Sequence, residues 1–275
     1  MITESIVDPD GKILFYTVED FYQHIVQGDD CFVCGAKNGS KLFNNEHILP
    51  DWLLARFGLH DKNITLANLQ TLQYGKYTVP CCEECNRLLG ETIEVPISNL
   101  LKKSYSEICK LVSEDQTYLH LLFKWMTLIF FKAHLKDTQF RWHQDSRKGL
   151  EKISDAYDWI DMHHIHCMAR QDYTNAIVSP MTTGSIFIMS AIQHESIDRF
   201  DFSDNKSGMS IMLRLDEFCI VCVLNDACGS YNIFLNTFSK IKGRLTPTQI
   251  REVFTHMTYI NIHLKKRPNF HSAFS

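Results

Sequence analysis

The chain lacks any surplus of positive charge: 28 Lys and Arg stand against 32 Asp and Glu, a formal charge of −4 over 275 residues. That excludes the overall positive field behind indiscriminate nucleic-acid binding, so a polyanionic partner must be met locally. Long hydrophobic runs are also missing. The longest apolar stretches, Trp125–Phe131 and Phe218–Leu224, fall far short of the roughly 18 to 20 residues that cross a bilayer, and no membrane span is expected. The opening Met1-Ile-Thr-Glu-Ser5 lacks the basic and then apolar pattern of a signal peptide, which makes a cytoplasmic location the expectation. No internal repeat or low-complexity linker interrupts the chain. Its 45% hydrophobic content suits a core of ordinary size, in one large domain or two modest ones, and excludes a disordered or fibrous protein.

What the chain does have is cysteine, ten residues unevenly placed. A disulfide framework belongs to small secreted domains of much higher cysteine density, so another use is indicated. Half of the ten lie between Cys31 and Cys85, as the pair Cys31-Phe-Val-Cys34 and the cluster Cys81-Cys82-Glu-Glu-Cys85. Cys-x-x-Cys spacing lets each pair grip one face of a tetrahedral zinc ion, at sulfur to metal distances of about 2.3 Å. Cys31, Cys34, Cys82 and Cys85 are therefore read as ligands of a structural Zn2+. Cys81 could replace Cys82, although Cys82 keeps the two-residue spacing to Cys85.

Residues 12–16 predict a short strand, and Thr17 with Asp20 predicts a helix cap leading into Phe21, Tyr22, Ile25 and Val26. A short helix carries Trp52, Leu53 and Leu54, and another opens at the second cysteine cluster. The stretch 97–136 is predominantly helical, with Leu121, Leu122, Trp125, Leu128, Ile129 and Lys132 on an apolar face that ends at a charged edge. Residues 148–170 form a second amphipathic candidate. After Pro180 the period changes to two, and 184–192, 208–215, 217–224 and 230–235 read as strands joined by turns at 204–208 and 226–229. Thr246-Pro247 opens a last helix running to Lys265-Lys-Arg-Pro268. The expected fold class is α+β, with a zinc-stapled module over 1–97 and a helical plus antiparallel-sheet region over 98–275. Residues 1–99 hold 7 basic and 14 acidic side chains, or −7, which leaves +3 for the remainder.

Between the cysteine pairs stands Glu46-His47, and Asn86 follows the last cysteine directly. The order Cys-x-x-Cys, Glu-His, Cys-x-x-Cys-Asn resembles the HNH, or ββα-metal, endonucleases, in particular the zinc-stapled branch that includes phage Holliday-junction resolvases and many stand-alone bacterial HNH proteins. Glu46-His-Ile-Leu-Pro-Asp-Trp-Leu53 and Cys82-Glu-Glu-Cys-Asn86 carry most of the likeness, which covers residues 28 to 95, about a quarter of the chain. The resemblance implies a ββα-metal module in which His47 is the general base and Glu46 and Asn86 hold a catalytic Mg2+ or Mn2+. It also implies that Asn68, or alternatively Asn63, orients the base; Arg87 beside Asn86 either contacts phosphate or faces solvent. Such residue types suit phosphodiester hydrolysis: a histidine titrates near neutrality, and hard cations that neutralise phosphate charge choose oxygen ligands. Two departures are visible. Glu replaces the commoner Asp, and Asn86 lies 39 positions after His47, a long interval for the motif.

The implied activity is cleavage of DNA, in phage defence or mobile-element biology, with a homodimer or a partner subunit as company. Two other readings share the residues: a non-catalytic zinc module that binds nucleic acid or protein, and an RNA-cutting toxin or defence effector. Cys219-Ile-Val-Cys222 is discounted as a metal pair because residues three apart on a strand point to opposite faces. Met162-His-His-Ile-His-Cys167 is discounted because its ligand types do not converge on one edge of a helix. Lys102-Lys103, Arg147-Lys148, Lys240 to Arg244 and Lys265 to Arg267 are candidates for a basic rim, each more simply read as a solvated face.

Overall fold

The structure is a computed structural model, and it describes residues 4–176 and 183–264. Along the chain these form strands β1 (Ile6–Val7) and β2 (Ile13–Phe15), helix α1 (Val18–Asp20, continuing as a π-helical stretch over Phe21–Val26), and β3 (Phe43–His47). There follow α2 (Asp51–Phe57), β4 (Asn63–Thr65), β5 (Thr71–Gln73), β6 (Thr78–Cys82), α3 (Glu83–Leu89) and α4 (Val95–Leu100). Next come α5 (Tyr105–Glu114), α6 (Gln116–Lys136), α7 (Trp159–Ala169) and α8 (Gln171–Thr174). The last part holds β7 (Ser185–Ser190), β8 (Phe200–Asn205), β9 (Ser210–Leu215), β10 (Phe218–Val223), α9 (Gly229–Phe238) and α10 (Pro247–His263). The chain is thus an α+β mixture. It divides into two compact units: of the described residues, 4–98 and 127–176 form one, and 99–126 and 183–264 the other. The sequence reading set its boundary at 97/98; residues 127–176 in fact cluster with the amino-terminal module.

In the first unit the Thr17 hydroxyl accepts the Asp20 N–H at 3.0 Å, a cap worth about 1 kcal/mol, and the helix it opens buries Phe21, Ile25 and Val26. Tyr22, placed on the same face by the sequence pattern, is exposed. Strand β3 pairs antiparallel with β6 in a register that sets Glu46 opposite Val79 and His47 opposite Thr78. Helix α3 begins directly after β6, with Cys82 as its cap residue. Most of the interval between His47 and Asn86, residues 48–77, lies between the two paired strands, as α2, closed by Gly58 at φ +62°, and the β4/β5 hairpin. It therefore leaves the strand, strand, helix order intact.

In the second unit β7-β10-β9-β8 form a four-stranded antiparallel sheet. Phe187, Met189, Met212, Cys219, Val221 and Val223 pack from one face against Phe234, Ile250, Phe254 and Met257 of α9 and α10. Both faces of β9 and β10 are buried, which is why these strands read as continuous apolar runs. Cys219 lies in this cluster while Cys222 does not, as their opposite faces require.

Two expectations change, and part of a third falls outside the described residues. Residues 230–235 are helical and belong to α9: Asp226 accepts the Ser230 N–H at 2.7 Å and Ser185 of β7 accepts the Tyr231 N–H at 2.9 Å, so a strand that is distant in sequence caps this helix. Strand β8, Phe200–Asn205, was not expected, because its two Asp residues and half-exposed edge position mute the apolar signal. The last helix is described to His263, and the predicted extension through Lys265 to Pro268 lies outside the described residues.

Candidate metal centre and strand–helix site

The Cys31–Cys34 knuckle and the β6–α3 junction bring four sulfurs together. The Sγ atoms of Cys31, Cys34, Cys82 and Cys85 all lie within 4.8 Å of one another, and Cys34 and Cys82 are 3.7 Å apart. Four sulfurs at about 2.3 Å from a central ion define a tetrahedron with edges of about 3.8 Å, so the set can hold a metal of tetrahedral preference. Gly35, at φ +74°, lets the knuckle turn back, and its N–H donates to the Cys31 carbonyl at 2.8 Å. The Ala36 N–H points at Cys34 Sγ, 3.4 Å away. Cys81 is a fifth thiol, fully buried, 3.8 Å from Cys31 Sγ and outside the four. Hydrogen bonds from Cys34, Cys81 and Cys85 hold the Cys31 thiol far below the usual thiol range; the same bonds push Cys34 up to about 12 and raise Cys81 and Cys85. A bound cation would draw the remaining thiols into their ionised form, since the thiolate is the metal-binding species.

Glu46 and His47 end β3, and alternation along a strand turns their side chains to opposite faces. Glu46 is buried and its Oε1 accepts from Lys132 Nζ at 2.7 Å; the same ammonium donates to the His47 carbonyl at 2.5 Å. Lys132 is fully buried on α6, so the sequence reading that put it at a charged edge is corrected: it lies inside, drawn there by Glu46. Glu94 completes the cluster. Burial pushes its carboxyl up to about 7, with Lys132 opposing and Glu46 adding to the rise. The His47 imidazole is half-buried and makes no hydrogen bond among the described residues.

Asn86, one residue past the last thiol, donates from Nδ2 to Asn44 Oδ1 at 3.0 Å, which ties α3 to β3 two residues before Glu46 and on its face. Arg87 is exposed on α3. Asn68 is occupied elsewhere: Nδ2 donates to the Arg141 carbonyl at 2.8 Å and Oδ1 accepts the Gln70 N–H at 3.0 Å, closing the β4–β5 turn where Leu69 adopts φ +64°. Asn63 is exposed on β4 opposite Gln73, and neither asparagine is hydrogen-bonded to His47. The structure thus engages Asn68 with the turn and does not bring it to His47.

Sequence reasoning missed Lys132 and Glu94. The available signal was a lysine set within the apolar run Ile129-Phe-Phe-Lys132-Ala133, since a buried ammonium demands an acid. Among the described residues the four cysteines are the only group of three or more His, Cys, Asp and Glu side chains whose ligand atoms come together. The α7 cluster offers a single close pair, Cys167 Sγ and His163 Nε2 at 3.9 Å. No helix among the described residues is long and apolar enough to cross a membrane. No family model matches the chain, nor does any curated protein or solved structure.

Proposed function

We propose that this chain is a zinc-stapled nuclease of the HNH type that hydrolyses phosphodiester bonds of DNA, with Zn2+ held by Cys31, Cys34, Cys82 and Cys85 and with His47 as general base. The observation that supports it is the assembly of β3, β6 and α3 on the four-thiol group, with Asn86 hydrogen-bonded to the strand that carries Glu46 and His47. Among the described residues the His47 ring has no hydrogen-bond partner, which leaves its nitrogens open for the role of base. Lys132 fixes the backbone of that residue through its carbonyl. Glu46 and Asn86 are the oxygen donors that would hold Mg2+ or Mn2+, an ion that when bound neutralises charge on the phosphate and the departing oxygen. Arg87, exposed one turn into α3, is the candidate phosphate contact.

The test is plasmid nicking by purified protein in magnesium or manganese. His47→Ala is expected to lower the rate at least about 100-fold while zinc stays at one per chain. Undiminished cleavage by that variant sinks the mechanism. Single-stranded DNA and tRNA run alongside separate a DNA enzyme from an RNA-cutting effector.

One observation favours a second reading, a zinc module that binds nucleic acid or protein without cutting. The Glu46 charge is already balanced by the fully buried Lys132 ammonium, which competes with any divalent cation for the same carboxylate. Binding of DNA without cleavage in either metal would select that reading.

A further inference from the structure

A zinc ion on four thiolates carries a net charge of −2, and here three of the four cysteines are at most 4% exposed. Burying such a charge without compensation costs several kcal/mol, so a counter-charge is expected nearby. Arg170, between α7 and α8, is only 2% exposed. Its guanidinium lies over the rings of Tyr16 and Tyr173, 4.8 and 5.2 Å from their centroids. One Nη2–H donates to the Ile13 carbonyl at 2.6 Å, its Nε–H has no partner, and no carboxylate pairs with it among the described residues. A buried guanidinium without an acid is costly unless another anion faces it.

Two thiols face the guanidinium electrostatically: Cys167 on α7, which burial pushes up to about 12, and, less strongly, Cys34 of the four-sulfur group. Tyr16 also lies within Coulombic range of Cys34, and Tyr173 within range of Cys34 and Cys85. Tyr16 seats the arginine against the knuckle: a Cβ on Gly35 would fall 1.8 Å from the Tyr16 Oη, itself buried and unpartnered. One turn before Arg170, on α7, His166 Nε2 donates to the Phe32 carbonyl, between the first two cysteines, at 2.7 Å. The helix that ends at the arginine is therefore fastened to the loop that carries Cys31 and Cys34.

We propose that Arg170, held between Tyr16 and Tyr173, is the buried counter-cation of the Cys31/Cys34/Cys82/Cys85 zinc centre, so that metal affinity depends on residues far beyond the last ligand in the chain. The proposal rests on the zinc reading above and not on nuclease activity. The experiment measures zinc per chain by mass spectrometry and zinc affinity by competition with a chromophoric chelator, on the full chain. Arg170→Met, which keeps bulk and removes charge, is expected to weaken zinc binding at least about tenfold, the range seen when outer-shell partners of metal ligands are removed. Arg170→Lys, which keeps charge, is expected to stay within about threefold of wild type. Wild-type affinity in the Met variant, or equal losses in both, overturns the proposal. Should the Met variant fail to fold, the Lys variant decides alone: retention supports the counter-charge and a tenfold loss overturns it. A wild-type chain that binds no zinc overturns the zinc reading, and this proposal with it.

Discussion

Lys132 shows how one side chain decides between two readings of the same site. An ammonium at 0% exposure, bonded to Glu46 and to the His47 carbonyl, either fixes the paired residues for chemistry or marks the acid as structural. Its energetic consequence is the same in both cases. Lys132→Met leaves Glu46 buried and unpaired and should destabilise the protein by about 3 to 5 kcal/mol. Adding Glu46→Gln removes the stranded charge and should recover more than half of that loss. Urea denaturation of the single and double variants measures both, and additive losses would refute the pairing. Cys81 gives a second residue-scale expectation: outside the four converging thiols, it should be dispensable for metal. Cys81→Ser should retain one zinc per chain where Cys82→Ser loses it, and the reverse result would exchange their roles.

At the scale of elements, legibility followed how local the determinants were. The Thr17 cap, the strands at 210–215 and 218–223, and the four converging cysteines rest on neighbours in sequence or on fixed spacing, and all are visible there. Helix α9 was misread because Tyr231, Ile233 and Leu235 alternate like a strand, while Ser185, which satisfies its first turn, lies on β7. Asn68 looked catalytic by position in the motif, and only the carbonyl of Arg141 reveals what holds it. In α7, His163 was noted as a ligand type, yet its ring packs 5.0 Å from that of Phe15 and 5.1 Å from that of Phe21. Burial pushes it from 6.5 down to about 4, against the hydrogen bond to Tyr16. A histidine depressed in the folded state contributes stability above its unfolded value, and that contribution is lost as pH falls from about 6.5 to about 4. Over this interval the wild type should lose on the order of 2 to 3 kcal/mol more than His163→Phe does. Denaturation midpoints of the two proteins that fall in parallel between those pH values would refute it.

For the whole molecule the relevant contrast is between the cores of the two units. Residues 183–264 enclose a sheet whose helix-packed face is filled by Phe187, Met212, Val221, Phe254 and Met257, with no metal ligand among them. In the other unit the four thiols join the loop at 31–34 to the β6–α3 junction, and α7 is fastened to that loop through His166. Structural zinc contributes about 10 to 16 kcal/mol of apparent binding energy at neutral pH, at least as large as the roughly 5 to 15 kcal/mol that stabilises a typical domain. Chelation should therefore unfold one unit and spare the other. Hydrogen exchange after treatment with a strong zinc chelator should show lost amide protection across β3, β6, α3 and α7, with β9, β10 and α10 retaining theirs. Readdition of zinc should restore the lost protection. Uniform loss across both sets would mean that the second unit depends on the first for its fold. Unchanged protection in β6 and α3 would mean that packing of Ile48, Leu53, Leu89 and Ile93 holds the module without its metal.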